Sequence, residues 1–319
     1  MTREEINIRV AKLLSQADAD VEKIIKEMEP NLIRTYKQSL ENIKREIAWI
    51  FEKYGEKVTY GQMQAYNRLV GIEREIAQEL KNLTGETIKL TTKKIKETFT
   101  EGYYRTAFAL EVGTGLKLGF GTLNKSIIEA AVLNPLDRLT WTERMGVTTD
   151  TYTNLIKQEL AVGLNQGTGY VKIASAITDK FGGKGLMEPG LYPRMLRIVQ
   201  TEGHRVQNAS RLTAFDKSQN AADILGIAVE RRWRHPEGVK EPREDHIKMN
   251  DKPANKDGKF ILPDGTVTDG PGLTGKPEHD IHCHCGTYVH YNKIPQNIKP
   301  QINPDVNYTD WFQLRIAAN

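Results

Sequence analysis

Two cysteines and seven histidines carry the strongest potential for chemistry in this chain, and their placement is uneven. Both cysteines lie in one run, Asp280-Ile281-His282-Cys283-His284-Cys285-Gly286, separated by a single residue. All the histidines fall between His204 and His290. Metal-ligand and nucleophile chemistry is therefore confined to the last third, and the preceding residues read as helical support.

The run from Ile281 to Tyr291 reads as a strand. Alternate side chains of a strand share a face, so Cys283 and Cys285 would point one way and His282 and His284 the other. Two thiolates supply half of a four-ligand zinc site. The remaining ligands must come from elsewhere, with His246 in Arg243-Glu244-Asp245-His246 as first choice and His204 as second. Asp245, Asp251, His279 and Asp280 are further donors. The plainer alternative is a pair of buried thiols acting as small apolar side chains, with solvated histidines around them. A Cys283 nucleophile is disfavoured. The flanking histidines could lower its pKa, but neighbours on a strand face away from its sulfur.

Thr201-Glu202-Gly203-His204-Arg205 is not a zinc-protease helix, because Thr201 and Arg205 occupy the places where histidines are needed. On a helix, His204, Asn208 and Arg211 share one face, and Glu202 and Arg205 a neighbouring one. This polar stripe is either solvated or turned inward. An inward Glu202 would need partners, and Arg243 and Asp251 are available. Arg231, Arg232 and Arg234 surround Trp233. They suit a phosphate backbone, or else form a half-buried strand with Trp233 in the core.

The elements that must position these residues are mostly helices. Ile6, Val10, Leu13, Ala17, Val21, Ile24 and Met28 recur every three or four positions, predicting a helix over 3–29 that Pro30 ends. A second stripe, Leu32 to Tyr54, stops at Gly55. A third runs from Met63 through Tyr66 to a break at Thr84-Gly85, and a fourth covers about 86–110. Residues 1–111 thus read as a helical arm, a bundle or a coiled-coil-like extension. Gly113, Gly115, Gly119 and Gly121 read as a hinge, since no G-K-[ST] ending makes them a phosphate loop. Shorter helices at about 124–133, 149–164 and 168–181 make a helical body over 122–190. It closes in a loop around Gly182 to Gly190.

A long helix is predicted at about 191–219. A strand from Ile227 to Trp233 follows, then a hairpin through Pro263-Asp264-Gly265. Residues 191–292 form an α+β Cys/His domain with a short sheet, and 293–319 an extended tail whose Trp311-Phe312-Gln313-Leu314 looks like a docking segment. The fold class is α+β, mainly helical.

Composition sets looser bounds. Of 319 residues, 39% are hydrophobic and 27% charged, enough for a core under a wet surface. A net charge of +4 permits contact with nucleic acid without demanding it. No apolar run is long enough to span a membrane, and no secretory leader is expected. The closely spaced cysteines make a poor disulfide framework and fit a reduced compartment.

Taken together, Arg197, Thr201-Glu202 and Asn208 on a long helix, then Gly226, Trp233, Arg243 and His246 as R-x-x-H, Asp251, Phe260, Pro263-Asp264-Gly265 and Cys283-His284-Cys285 form a familiar series. It resembles the phage head morphogenesis family, the Mu F-like or SPP1 gene-7-like minor capsid proteins. The likeness covers about 140–290. The family usually has Asn and Arg around the first cysteine, where this chain has His282 and His284.

The resemblance implies a minor virion protein of a tailed phage that binds the portal inside the head. It would act in procapsid assembly, DNA packaging or ejection, with portal, capsid and scaffold proteins as partners and phage DNA as a further candidate. It would be made in the host cytoplasm and carried in the virion. On this reading the chain is not an enzyme; Cys283, Cys285, His246 and His204 hold zinc or a polar core, alongside Arg197, Glu202, Asn208, Arg243 and Asp251. Two rivals remain: a metal-dependent hydrolase, nuclease or toxin-like enzyme, and a sequence-independent DNA-binding protein using Arg231, Arg232 and Arg234.

Overall fold

The computed structural model describes residues 2–65, 68–183, 190–239, 241–295 and 298–317. Eight helices come first: α1 (Arg3–Lys26), α2 (Met28–Tyr54), α3 (Tyr60–Ala65), α4 (Arg68–Thr114), α5 (Lys125–Leu133), α6 (Trp141–Asn165), α7 (Tyr170–Phe181) and α8 (Leu191–Ile224). Then come β1 (Ala228–Arg234), α9 (Glu244–Lys248), β2 (Phe260–Ile261), β3 (Val267–Thr268), α10 (Pro277–Asp280), β4 (Gly286–Lys293) and α11 (Tyr308–Phe312). A π-helical turn at Gln313–Ala317 follows α11. The chain is mainly helical α+β, as its periodicity predicts.

The helices follow the apolar stripes, but several boundaries move. Pro30 does not end a helix. The break falls at Glu27, and Pro30 sits in the first turn of α2, where its missing N–H has no intrahelical acceptor to lose. Thr84-Gly85 does not interrupt α4 either. Thr84 donates its hydroxyl to the Leu80 carbonyl at 2.9 Å. Leu80, Leu83, Ile95 and Phe99 are all buried along the helix. Their burial outweighs the roughly 1 kcal/mol that a helical glycine costs. Helix α6 begins at Trp141 rather than near 149, held by a capping box between Thr140 and Glu143. Tyr66 and most of the loop after Gly183, residues 184–189, lie outside the described residues.

Two compact units divide the chain, and neither is a continuous stretch. One comprises Glu27–Lys93 and Leu139–Val199. It is all helical among its described residues, with α7 packed on α2 and α6. Tyr36 is fully buried there, edge-on to Tyr192 at 5.3 Å.

The other unit comprises Met1–Lys26, Lys94–Arg138 and Gln200–Asn319, and it contains every cysteine and histidine. Strands β1 and β4 pair antiparallel, with Trp233 opposite Thr287 and Arg234 opposite Gly286. Helix α1 packs on β4. Asn7 fastens it by donating to the Tyr291 carbonyl at 3.1 Å and accepting from the Tyr291 N–H at 2.8 Å. The larger core joins Val10 and Leu14 of α1, Ala107 and Leu110 of α4, Phe215 of α8 and Tyr291 of β4. Leu116, Leu118 and Phe120, within the glycine-rich stretch read as a hinge, belong to this core. Gly113 is still helical, and a Cβ there would lie 2.5 Å from Val10 Cγ2. The glycine serves close packing. The tail also differs from the extended segment expected: α11 forms, capped by Asn307, and Trp311 is buried in the same core. A smaller cluster unites Trp233, Met249, Phe260, Leu262, Cys283 and Cys285.

Candidate metal centre

The cysteine-bearing run is not a strand until Gly286. Residues 281–285 turn instead, with His282 at a φ of 53° and the Cys283 N–H donating to the Asp280 carbonyl at 3.2 Å. The one-face argument for the two sulfurs therefore loses its basis. They converge all the same, because the turn wraps around His246. Its Nδ1 lies 3.6 Å from the sulfur of Cys283 and 3.6 Å from that of Cys285.

His246 projects from α9, a helix of little more than one turn. Its ring meets the Trp233 ring edge-on at 5.4 Å. All three side chains are buried, and among the described residues they are the group whose ligand atoms could hold a metal, lying within 4.8 Å of one another. The spacing can be tested against ligand chemistry. Zinc–sulfur and zinc–imidazole bonds at a tetrahedral angle place N and S about 3.6 Å apart, which matches both contacts. The residues fit such an ion.

The surroundings of the sulfurs are polar on one side. His235 Nδ1 approaches the Cys285 sulfur at 3.4 Å. The β1–β4 register explains this. Arg234 stands opposite Gly286, so the next residue outward on one strand meets the previous residue on the other. A hydrogen bond from Cys285 pushes the Cys283 thiol well below its ordinary range, against the opposing effect of burial. The Cys285 thiol is pushed up, first by its bond to Cys283 and then by burial.

Behind His246 a second imidazole continues the polar chain. His246 Nε2 lies 3.4 Å from His279 Nδ1, and His279 Nε2 lies 3.0 Å from Asp264 Oδ2. Asp264 is held well below the usual carboxylate range, first by the Thr266 N–H, then by the Thr266 hydroxyl and His279.

His204 is elsewhere. On α8 its Nε2 pairs with Glu22 at 3.0 Å, and its ring lies 4.5 Å from the His284 ring. Burial, then the nearby His204, lowers the pKa of His284. The remaining polar candidates scatter around this frame. Glu202 is fully buried and accepts from Arg205 Nε at 2.7 Å. Asn208 donates to the Cys285 carbonyl at 3.0 Å, and Arg243 to the Ile281 carbonyl at 2.5 Å, so both brace the cysteine turn. Asp251 is exposed and accepts from Arg232 and Tyr288. Arg197 lies half-buried in the part of α8 that belongs to the other unit.

The three arginines around Trp233 each have an intramolecular partner. Arg231 donates to the carbonyls of Asp269 and Gly258, Arg232 to Glu230 and Asp251, and Arg234 to Asp18. Sequence reasoning missed His235 and Asp264. The first followed an arginine-rich strand, and the second read as turn chemistry. His279 was considered as a donor to the metal, not as the support of His246.

No family profile and no solved structure matches the chain. A curated relative does. The chain is 27% identical to minor head protein GP7 of Bacillus phage SPP1 over 319 residues, covering 95% of this chain and 97% of that protein. This similarity supports the resemblance to the phage head morphogenesis family. The similarity extends beyond the Cys/His region to both units, including the helices before residue 140, whose pattern alone carried no family signal.

Proposed function

We propose that this protein is a minor head protein of a tailed phage that binds the portal and acts in head assembly, DNA packaging or DNA ejection. The observation that carries the reading is the near end-to-end match to a minor head protein. A match confined to the Cys/His region would support only a shared domain. One covering both units supports a shared role. Its partners are then the portal, capsid and scaffold proteins, and its place is inside the virion near the portal. Among the described residues no helix is long and apolar enough to cross a membrane.

The role is structural, not catalytic. The chemically capable side chains, Cys283, Cys285 and His246, are each 5% exposed or less. Groups so enclosed are suited to holding a fold together; turnover needs substrate within hydrogen-bond reach of the reacting group.

Co-expression with the portal protein of the same phage tests the reading. The two should co-purify at physiological salt. Failure to do so, with scaffold and capsid proteins also present, would remove portal binding from the proposal.

A further inference from the structure

We infer that the unit bearing the cysteines is closed by one zinc-class divalent cation held by Cys283, Cys285, His246 and His235, with His279 and Asp264 orienting His246. The inference is independent of the head-protein role.

The donor set comes first. Two thiolates neutralise a dication, so the assembled group carries no net charge into a buried site. Soft sulfur with imidazole selects zinc over magnesium or calcium, which demand oxygen. The three buried donors already stand at tetrahedral edge lengths, as His246 Nδ1 is 3.6 Å from each sulfur. His235, just beyond the end of β1, would supply the fourth donor: its Nδ1 is 3.4 Å from Cys285, but it stands outside the trio whose ligand atoms lie within 4.8 Å of one another, so its ring must swing inward to complete the shell. It is half-exposed, so ion entry and closure by His235 come from the same side.

The tautomer of His246 follows from the chain behind it. Ionised Asp264 can only accept, so His279 Nε2 carries the proton that it donates. With the ion in place, His279 Nδ1 would accept from His246 Nε2–H. That arrangement would leave the Nδ1 lone pair of His246, which faces the two sulfurs, free for the ion. A carboxylate or second polar group that fixes the free nitrogen of a ligating histidine is the usual support of such sites. Here the support is relayed through one extra imidazole.

The closed set would also tie together segments far apart in the chain. Residues 281–285 contribute two donors, α9 one, and the end of β1 another. One ion would join these three segments in addition to the β1–β4 ladder and the cluster around Trp233.

The test uses the full-length chain purified under reducing conditions, with zinc content measured by mass spectrometry and cobalt(II) as a spectroscopic probe. About one zinc per chain is expected, and cobalt exchange should give the intense visible bands of a tetrahedral thiolate site. Chelation should lower the thermal midpoint. Cys283→Ser and His246→Gln should each abolish stoichiometric binding. Because such variants can fail to fold, His235→Gln is the sharper test: it should fold, bind zinc more weakly and shift the cobalt bands. His279→Gln should weaken binding about ten- to a hundredfold, while His204→Gln should bind like the parent. An unmodified chain that takes up no zinc or cobalt on reconstitution, with its melting unchanged by chelator, would overturn the site. Unaltered affinity and cobalt spectrum in His235→Gln would overturn the fourth ligand.

Discussion

The indole Nε1 of Trp311 donates to Oε2 of Glu111 at 2.9 Å, joining residues 200 positions apart. Glu111 is fully buried within α4, and its carboxylate also accepts from Arg315 Nε and Nη2 at 3.0 and 2.9 Å and from the Leu118 N–H at 2.8 Å. A buried carboxylate survives only when so many donors meet it. The C-terminal helix thereby becomes part of the core of its unit.

Trp311→Ala should therefore destabilise that unit by about 3–5 kcal/mol, through lost volume and an indole hydrogen bond. Glu111→Gln keeps the shape but removes the charge, and should cost about 1.5–3 kcal/mol. Urea unfolding followed by fluorescence measures both. A Trp311→Ala midpoint indistinguishable from the parent would show that the tail is not part of the folded unit.

Two glycines of α4 should respond in opposite directions to the same change. A Cβ at Gly113 would stand 2.5 Å from Val10 Cγ2 and 3.1 Å from its Cα, so Gly113→Ala should cost about 1–3 kcal/mol. At Gly85 a Cβ meets nothing within 4 Å, and Gly85→Ala should stabilise by about 0.5–1 kcal/mol. Thermal melts of the two variants decide the matter by sign alone.

Glu202 and Arg205 form an ion pair one turn apart on α8, with side chains 0% and 2% exposed. Arg205 also donates to the Ala131 carbonyl at 2.9 Å. Glu202→Ala leaves a buried guanidinium without its carboxylate and should cost about 3–5 kcal/mol. Replacing both residues by apolar ones should cost less than the single change. A double-mutant cycle showing simple additivity would contradict the pair.

Asp251 carries a pH dependence. The Tyr288 hydroxyl, and then Arg232, hold its carboxyl below the ordinary value. A depressed carboxyl stabilises the fold fully above its unfolded-state pKa of about 4 and loses that contribution as pH falls through the folded value. The side chain is 60% exposed, so Asp251→Asn should cost at most about 1 kcal/mol at neutral pH. The gap should close in acid. Asn suits the φ of 64° at this position. Equal gaps at neutral and acid pH would assign the effect to shape instead of charge.

Most helices were legible because each needs only its own stripe and caps. Where reading failed, the cause was local in some places and long-range in others. Pro30 and Gly85 are tolerated inside helices by first-turn geometry in one case and by flanking burial in the other. The start of α6 rests on the Thr140–Glu143 capping box, a signal present in the sequence but overlooked. Trp311 gave no local sign that Glu111 was its partner.

For the candidate metal centre, residue types and spacing by themselves marked Cys283, Cys285 and a histidine such as His246 as candidate ligands, because no other part of the chain holds a thiol. Tertiary structure alone decided which histidines arrive. His204 is drawn to Glu22, while His235 reaches Cys285 through strand register. His279 and Asp264 line up behind His246. Composition marks where ligands are available. Which of them meet depends on pairings between segments far apart in the chain, and those are set by the whole core.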